Sequence, residues 1–263
     1  SVRSGRVNGA AQPQLHRVAS GVVRVDGQNG FAPAAHALGA PVLIEAAKAH
    51  GIAALALTNC YHFSSLWHDL TPLVDAGLTC WAFTIGQCIV APHGGKERLM
   101  GTNPIAFSVP DGQGGIAMQF DQSTTTVALG KITMAKAAGQ RIPEGWALDS
   151  AGNPTTDPEE AIKGTLVSMG GYKGWGFGLM AEVLAAAMTG SVLSRDVKPL
   201  KAPEGAPHDL GQYYLIIDPA TSDAFFDRLA QVAEAVAQDE GTRMPGQGKA
   251  AQDPVEVSDA VWD

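Results

Sequence analysis

The stretch FAPAAHALGAPVLIEAAKAHGIAALALTN, Phe31 to Asn59, limits the fold more than any other part of the chain. Its first part spaces apolar residues as one face of a helix does. It closes on Gly51, the residue type that ends helices in a left-handed conformation. Directly after comes IAALALTN, an apolar run that reads as a buried strand. A helix that hands over at once to a buried strand is a building step of an α/β fold, in which helices cover a sheet.

The alternation continues on both sides of this unit. GVVRVDG reads as a short strand, SSLWHDLTPLVDAG as a helix, LTCWAFTI as a strand, and NPIAFSVP with GIAMQFD as a β-rich stretch. From Thr124, TTTVALGKITMAKAAGQ is predicted helical, and the Pro- and Gly-rich IPEGWALDSAGNPTTDPEEAI is predicted to be a long surface loop. GWGFGLMAEVLAAAMTG is predicted to be a buried helix and QYYLIIDP a strand. SDAFFDRLAQVAEAVAQDEG, with a Ser and an acidic first turn, is predicted to be an amphipathic helix. The polar opening and the tail after Gly241 read as loops.

With 263 residues, 45% of them apolar and 17% charged, the chain can bury a substantial core. Its net charge of −8 offers no basic surface to a phosphate backbone, which excludes nucleic acid and anionic membranes as expected partners and leaves a small molecule. Cys60, Cys80 and Cys88 lack a CxxC spacing and sit in apolar or aromatic contexts, the pattern of reduced thiols in a cytoplasmic protein. No run approaches the roughly 20 apolar residues of a membrane span. SVRSGRVNGA has no apolar signal core and no initial Met, so the chain reads as processed or incomplete.

One short run, LTNCYHFSSLW, concentrates the candidate chemistry. Cys60, His62 and His68 are close in sequence, but they straddle a strand end and a helix, and no second Cys/His pair completes a metal site. No GxSxG pentapeptide presents a nucleophile. Ser64 and Ser65 stand at a helix start, where hydroxyls and free N–H groups would suit a phosphate or carboxylate, or would simply cap the helix.

The glycine clusters APHGGKERLMGTNP and SMGGYKGWGFG each set a lysine, Lys96 or Lys173, directly after the pair Gly94–Gly95 or Gly170–Gly171, which suits an anion or a plain turn. Neither GxGxxG nor GxxxxGK[ST] occurs, so the usual dinucleotide and P-loop fingerprints are absent. Asp121 could accept from ribose hydroxyls or cap a helix, and Arg243 and Lys249 around MPGQG could meet a phosphate or remain solvated. His208 could line a site or hold a turn. His16, His36 and His50 read as surface or helix-end residues.

Taken together, NCYHFSSLW, PHGGKERLMGTNPIAFSVP, ALGKITMAKAAGQRIPEGWALDSAGNPTTDP and GGYKGWGFGLMAEVLAAAMTG resemble the malate/L-lactate dehydrogenase family of nicotinamide-dependent oxidoreductases, over most of the chain. The resemblance implies an α/β chain with a mixed-sheet, non-Rossmann cofactor domain flanked by helices. It also implies one catalytic unit over residues 1–263 with no internal boundary assigned, NAD or NADP as cofactor, and a homodimer. Carried onto this sequence, it places His62, Phe63, Ser64, Ser65 and Leu66 against the cofactor, with Phe120, Asp121, Gln122, Gly170 and Gly171 along the dinucleotide. Arg243, Gly246 and Lys249 fall near its adenosine end, and Thr102 at the substrate. No metal is implied.

Two departures shape the expected activity. The family carries a Ser-His-Gly motif, with a proton-donating His, just before the stretch matched by SVRSGRVNG. The chain is therefore expected to lack its N-terminal segment, with the main proton donor upstream of Ser1, or to use His62 in that role. In the cyclic-imine reductases of the family an Asp follows the glycine matched by Gly130, whereas Lys131 stands here, as in the hydroxy-acid dehydrogenases. The expected reaction is hydride transfer between nicotinamide and C2 of a small 2-hydroxy or 2-oxo acid, with Thr102 and Lys131 at its carboxylate. Reduction of piperideine- or pyrroline-2-carboxylate is the alternative, and an inactive cofactor-binding protein a further one.

Overall fold

The structure, a computed structural model, describes residues 2–199, 204–205 and 207–248. Its main layer is a seven-stranded mixed sheet. Strands β1 (Gln14–Ala19) and β2 (Val22–Asp26) form a hairpin, and α1 (Ala32–His50) leads to β3 (Ile52–Cys60), which lies parallel to β2. Then come α2 (Leu66–Asp75), β4 (Thr79–Thr84), β5 (Ile105–Pro110) and β6 (Ile116–Gln122). Near the end of the described chain, β10 (Leu210–Ile217) inserts antiparallel between β3 and β4, giving the order β1-β2-β3-β10-β4-β5-β6.

The two-residue period of the strands divides the core. Leu55 and Leu57 of β3, Cys80 and Ala82 of β4, and Tyr214 and Ile216 of β10 face α1 and α2. Their neighbours Ala54, Ala56, Phe83 and Tyr213 face the opposite side, where Ala181, Ala185 and Ala186 cover them. Pro41 and Pro72 lie inside α1 and α2, each at a cost of about 3 kcal/mol to the isolated helix. Burial of Leu43, Leu70 and Leu73, at roughly 1.5–3 kcal/mol per side chain, offsets that cost.

A smaller lobe carries α3 (Leu129–Ala137), α4 (Pro158–Lys163) and the three-stranded sheet of β7 (Ala147–Leu148), β8 (Pro154–Thr155) and β9 (Thr165–Leu166), around Val90, Met100, Ile132 and Leu166. Helix α5 (Tyr172–Glu182) runs into a π-helical turn, Val183–Ala187, and α6 (Phe225–Ala237) follows β10.

Four sequence expectations change. The opening segment holds an edge strand, β1, whose mostly exposed residues leave no apolar alternation to betray it. The helix expected from Thr124 begins only at Leu129, because the β-branched Thr124–Val127 run is tied to the Val167–Ser168 segment instead, with Thr125 bridged to Ser168 and Thr126 N–H donating to Val167 O. The expected long loop contains α4 and two short strands. The helix expected to be buried is buried on one side only, with Phe177 and Val183 each 50% exposed.

Candidate active site

Among the described residues, α1 and α2 fill one face of the sheet, and on the opposite face Ala181, Ala185 and Ala186 pack over β3, β10 and part of β4. Where β4, β5 and β6 continue past α5, the uncovered face forms a cavity of ≈470 Å³. Its floor is Trp81, Phe83, Ile105, Phe120 and Gln122, and Phe177, Met180 and Leu184 of the α5 region form its wall. Across the floor three aromatic rings stand in register: Trp81 lies 5.2 Å from Phe107, and Phe107 lies 5.9 Å from Phe120. Such a surface suits a flat ring with a polar edge.

One end of the cavity is made by the segment expected from sequence. Met169, a lining residue, donates its N–H to Thr124 O, and Gly170 and Gly171 follow at φ 58° and 66°. Gly171 is the N-cap of α5 and gives no side-chain cap, so first-turn N–H groups stay available to an anion beside Lys173. Nothing lies within 4 Å of where a Gly170 side chain would begin. Gly246, at φ 90°, presses on β6, and Gln119 N–H donates to Pro245 O at 2.9 Å. The loop of Arg243 is thereby seated on Gln119, the residue before Phe120 in β6. Lys249 lies outside the described residues.

The 62–66 segment joins this site differently from the sequence expectation. Ser65 is the N-cap of α2 but makes no side-chain cap bond, and Ser64 Oγ turns inward to donate to Asp69 Oδ1 at 2.6 Å. Asp69 is buried and also accepts from Tyr214 OH at 2.8 Å. From the other side, Asp121 Oδ2 accepts the backbone N–H of Trp67 at 3.1 Å. A carboxylate thus stands where a phosphate would bind, so the α2 N-terminus is not the anion site suggested by its serines. Leu66 is buried among the α1/α2 core residues and offers a ligand only its backbone, whereas Phe63 packs on the opposite, site-facing side of the sheet.

His62 lies half-buried, 5.0 Å from the Phe31 ring, with Nδ1 buried and without a hydrogen-bond partner among the described residues. No acceptor on that nitrogen fixes its tautomer, as an acid/base role would ask. The other proton donor was expected ahead of Ser1, which lies outside the described residues. The residue before His62 is anchored: His208 Nδ1 donates to Tyr61 O at 2.7 Å, and Arg6 Nη2 meets His208 Nε2 at 2.7 Å. Burial, opposed by the Tyr61 bond and reinforced by Arg6, lowers the His208 pKa. Burial raises the Cys60 thiol to about 12, so this residue is packing and not a nucleophile. Among the described residues no three His, Cys, Asp or Glu side chains gather as a metal site, and no helix is long and apolar enough to cross a membrane.

Thr102 sits at the junction of lobe and sheet, with its carbonyl held by Thr124 N–H and Oγ1, both at 2.9 Å. Lys131 is not brought to it. It lies exposed on α3 and lines a separate recess with Met134, Arg141 and Trp146. Trp81, Phe107, Met169 and Phe177 escaped the sequence reading. The signal for Trp81 was present, since the alternation in LTCWAFTI puts it opposite Cys80 and Ala82.

The donor set fits a nicotinamide dinucleotide: an apolar, aromatic-floored cavity for a ring, open space over Gly170, and uncapped N–H groups at α5 for an anion. Comparison with known proteins agrees. Residues 1–261 match the family model described as malate/L-lactate dehydrogenase. The Delta(1)-pyrroline-2-carboxylate reductase of Ancylobacter novellus is 44% identical over 252 residues, 94% of this chain and 74% of that protein. The (2R)-3-sulfolactate dehydrogenase (NADP(+)) of Chromohalobacter salexigens is 40% identical over 93% of this chain and 73% of its own length. The crystal structure of delta1-piperideine-2-carboxylate reductase from Pseudomonas syringae superposes with a TM-score of 0.86 at 35% identity, covering 94% of this chain and 75% of that one. The chain is an NAD(P)-dependent oxidoreductase and belongs to the malate/L-lactate dehydrogenase family.

Proposed function

We propose that the chain reduces C2 of a small cyclic imine carboxylate, Δ1-pyrroline-2-carboxylate or Δ1-piperideine-2-carboxylate, with NADPH or NADH. The observation that carries this reading is the apolar, aromatic-floored cavity, with Lys131 outside it. Lys131, whose identity favours a hydroxy acid, does not line the cavity. The 44% identical pyrroline-2-carboxylate reductase supports the same choice.

When bound, the nicotinamide supplies the hydride. The chain's residues position and shield: Phe120 and Trp81 exclude water, Asp121 holds the Trp67 N–H just after the His62–Leu66 segment, and the first turn of α5 after Gly171 leaves N–H groups for phosphate. A cyclic imine is basic and can enter already protonated, so its reduction asks less of a protein acid than a ketone would. That matches the unfixed tautomer of His62.

Reduction of a 2-oxo acid is the second reading, favoured by the sulfolactate dehydrogenase relative and by the identity of Lys131. Residues 1–263 act as one catalytic unit in either case, since Trp175 of α5 packs on the small lobe while Ala181 packs on the sheet. The exposed Phe177, Val183 and Met188 suit contact with a second copy, and the free cysteines suit a cytoplasmic setting.

Purified protein is to be assayed for oxidation of reduced nicotinamide with the two imines, pyruvate, oxaloacetate and sulfopyruvate. A higher kcat/KM for an imine is expected. Preference for an oxo acid overturns the first reading in favour of the second, and cofactor binding without turnover of any of them marks an inactive binding protein.

A further inference from the structure

We infer that Glu182 is a positioning residue for the substrate end of the site, acting through Asn103 on Thr102. The inference rests on the reading that Thr102 meets the substrate.

Asn103 is fully buried and holds φ 36°, a conformation that a non-glycine residue keeps only when its surroundings impose it. Its Nδ2 donates to Glu182 Oε2 at 2.7 Å and to Gly178 O at 3.0 Å. Gly178 and Glu182 are one helical turn apart on α5, so the Asn103 amide docks the turn onto a single helix face. Glu182, 8% exposed, ends α5 where the π-helical Val183–Ala187 begins, a helix irregularity that recurs at functional sites.

The Glu182 carboxylate is held by neutral donors. Ser194 N–H reaches Oε1 at 2.7 Å and Ser194 Oγ reaches Oε2 at 2.6 Å, in addition to the Asn103 amide. Three donors converge on two oxygens, and an acceptor-only group answers all of them. A glutamine would turn an NH₂ toward one of these donors and leave two N–H or O–H groups facing each other. The demanding choice of a buried carboxylate, where an amide would cost less to bury, therefore follows from the geometry.

The clamp reaches Thr102 because the rest of the turn has no slack. Gly101 lies so close to Gly86 that a Cβ would fall 2.7 Å from the Gly86 carbonyl oxygen. Thr102 O is held twice by Thr124, and Gly178 packs so tightly that a Cβ there would lie 2.6 Å from Met100 Cε. Asn103 is the remaining joint, and Glu182 fixes it.

The test measures KM and kcat for Δ1-pyrroline-2-carboxylate, Kd for NADPH by its fluorescence, and Tm, in Glu182→Gln, Asn103→Gly, Ser194→Ala and Thr102→Val. Asn103→Gly keeps the positive φ without strain but cuts the link, and so remains informative should Glu182→Gln fail to fold. Glu182→Gln and Asn103→Gly are expected to raise KM about 10-fold, with Kd for NADPH changed less than about 2-fold. Ser194→Ala, which removes the 3.3 Å contact of Ser194 Oγ with Asn103 Oδ1 but keeps the Asn103–Glu182 bond, is expected to raise KM less than either clamp variant. A lowered Tm with unchanged KM in both clamp variants overturns the inference in favour of a stabilising role alone. If Thr102→Val itself leaves KM unchanged, the reading of Thr102 as a substrate contact fails instead.

Discussion

Trp67 and Asp121 are joined by a 3.1 Å hydrogen bond from the Trp67 backbone N–H to the Asp121 carboxylate, tying the first turn of α2 to the end of β6. The bond fixes the 62–66 segment against the strand that floors the cavity. Asp121→Ala is expected to raise Kd for NADPH about 10-fold, or about 1.4 kcal/mol. Asp121→Asn, which keeps an acceptor oxygen, is expected to lose less. Unchanged cofactor affinity in the alanine variant would remove Asp121 from the site.

Two glycines distinguish a ligand contact from a packing contact. Gly170 has φ 58° and open space above it, so Gly170→Ala is expected to cost about 1 kcal/mol of stability, to fold, and to weaken NADPH binding by placing a methyl in the approach. Gly246 has φ 90°, and its Cβ would lie 2.7 Å from the Gln119 carbonyl oxygen. Gly246→Ala is therefore expected to lower Tm more than Gly170→Ala does. The opposite order, read by thermal unfolding, would contradict this placement of the two loops.

The aromatic floor gives an optical reading of occupancy. Trp81 is 37% exposed and lines the cavity. NADPH is expected to quench tryptophan fluorescence, and Trp81→Phe to remove a clear part of that quench while the protein stays folded. A quench untouched by the substitution would move the ring site away from β4.

The mixed sheet was legible where a continuous apolar run met burial on both faces, as at Ile52–Cys60 and Leu210–Ile217. It was hidden at Gln14–Ala19, where an edge strand buries little, and at Thr124–Val127, where β-branched residues override the helical spacing that follows. The pattern was legible at the paired glycines, where Gly170 and Gly171 hold positive φ. It was misleading at Ser64 and Ser65, since no local pattern tells that Asp69 and Asp121, from the core and from another strand, take up the hydroxyl and the N–H. Glu182 and Asn103 meet across 79 positions of chain, a pairing that short-range spacing does not reveal.

Lys131 separates the two substrate readings. It is exposed on α3 and lines a recess apart from the aromatic floor. Lys131→Ala is expected to leave kcat/KM for Δ1-pyrroline-2-carboxylate within about 2-fold, because a solvated charge outside the cavity contributes little. A loss of about 10-fold or more with an oxo acid as the preferred substrate would return Lys131 to the carboxylate-binding role that its sequence position suggested.

Two buried histidines set the acid side of stability. His208 sits between Arg6 and the Tyr61 carbonyl, its ring stacked on Tyr61 at 4.5 Å, and burial with the Arg6 charge lowers its pKa. His36 packs 4.9 Å from Tyr214, and burial lowers its pKa against the opposing pull of Asp69. Below the ordinary value of 6.5 the unfolded chain therefore binds protons that the folded chain refuses. Stability is full above 6.5, falls as pH drops through it, and levels off only once the lowered folded-state values are passed. Tm is expected to decline between about pH 7 and 5. His208→Gln is expected to flatten that decline, since it removes the protonation site beside Arg6. A Tm independent of pH over this range would refute the neutral state of both histidines, and with it the Arg6–His208–Tyr61 chain that anchors the turn before His62.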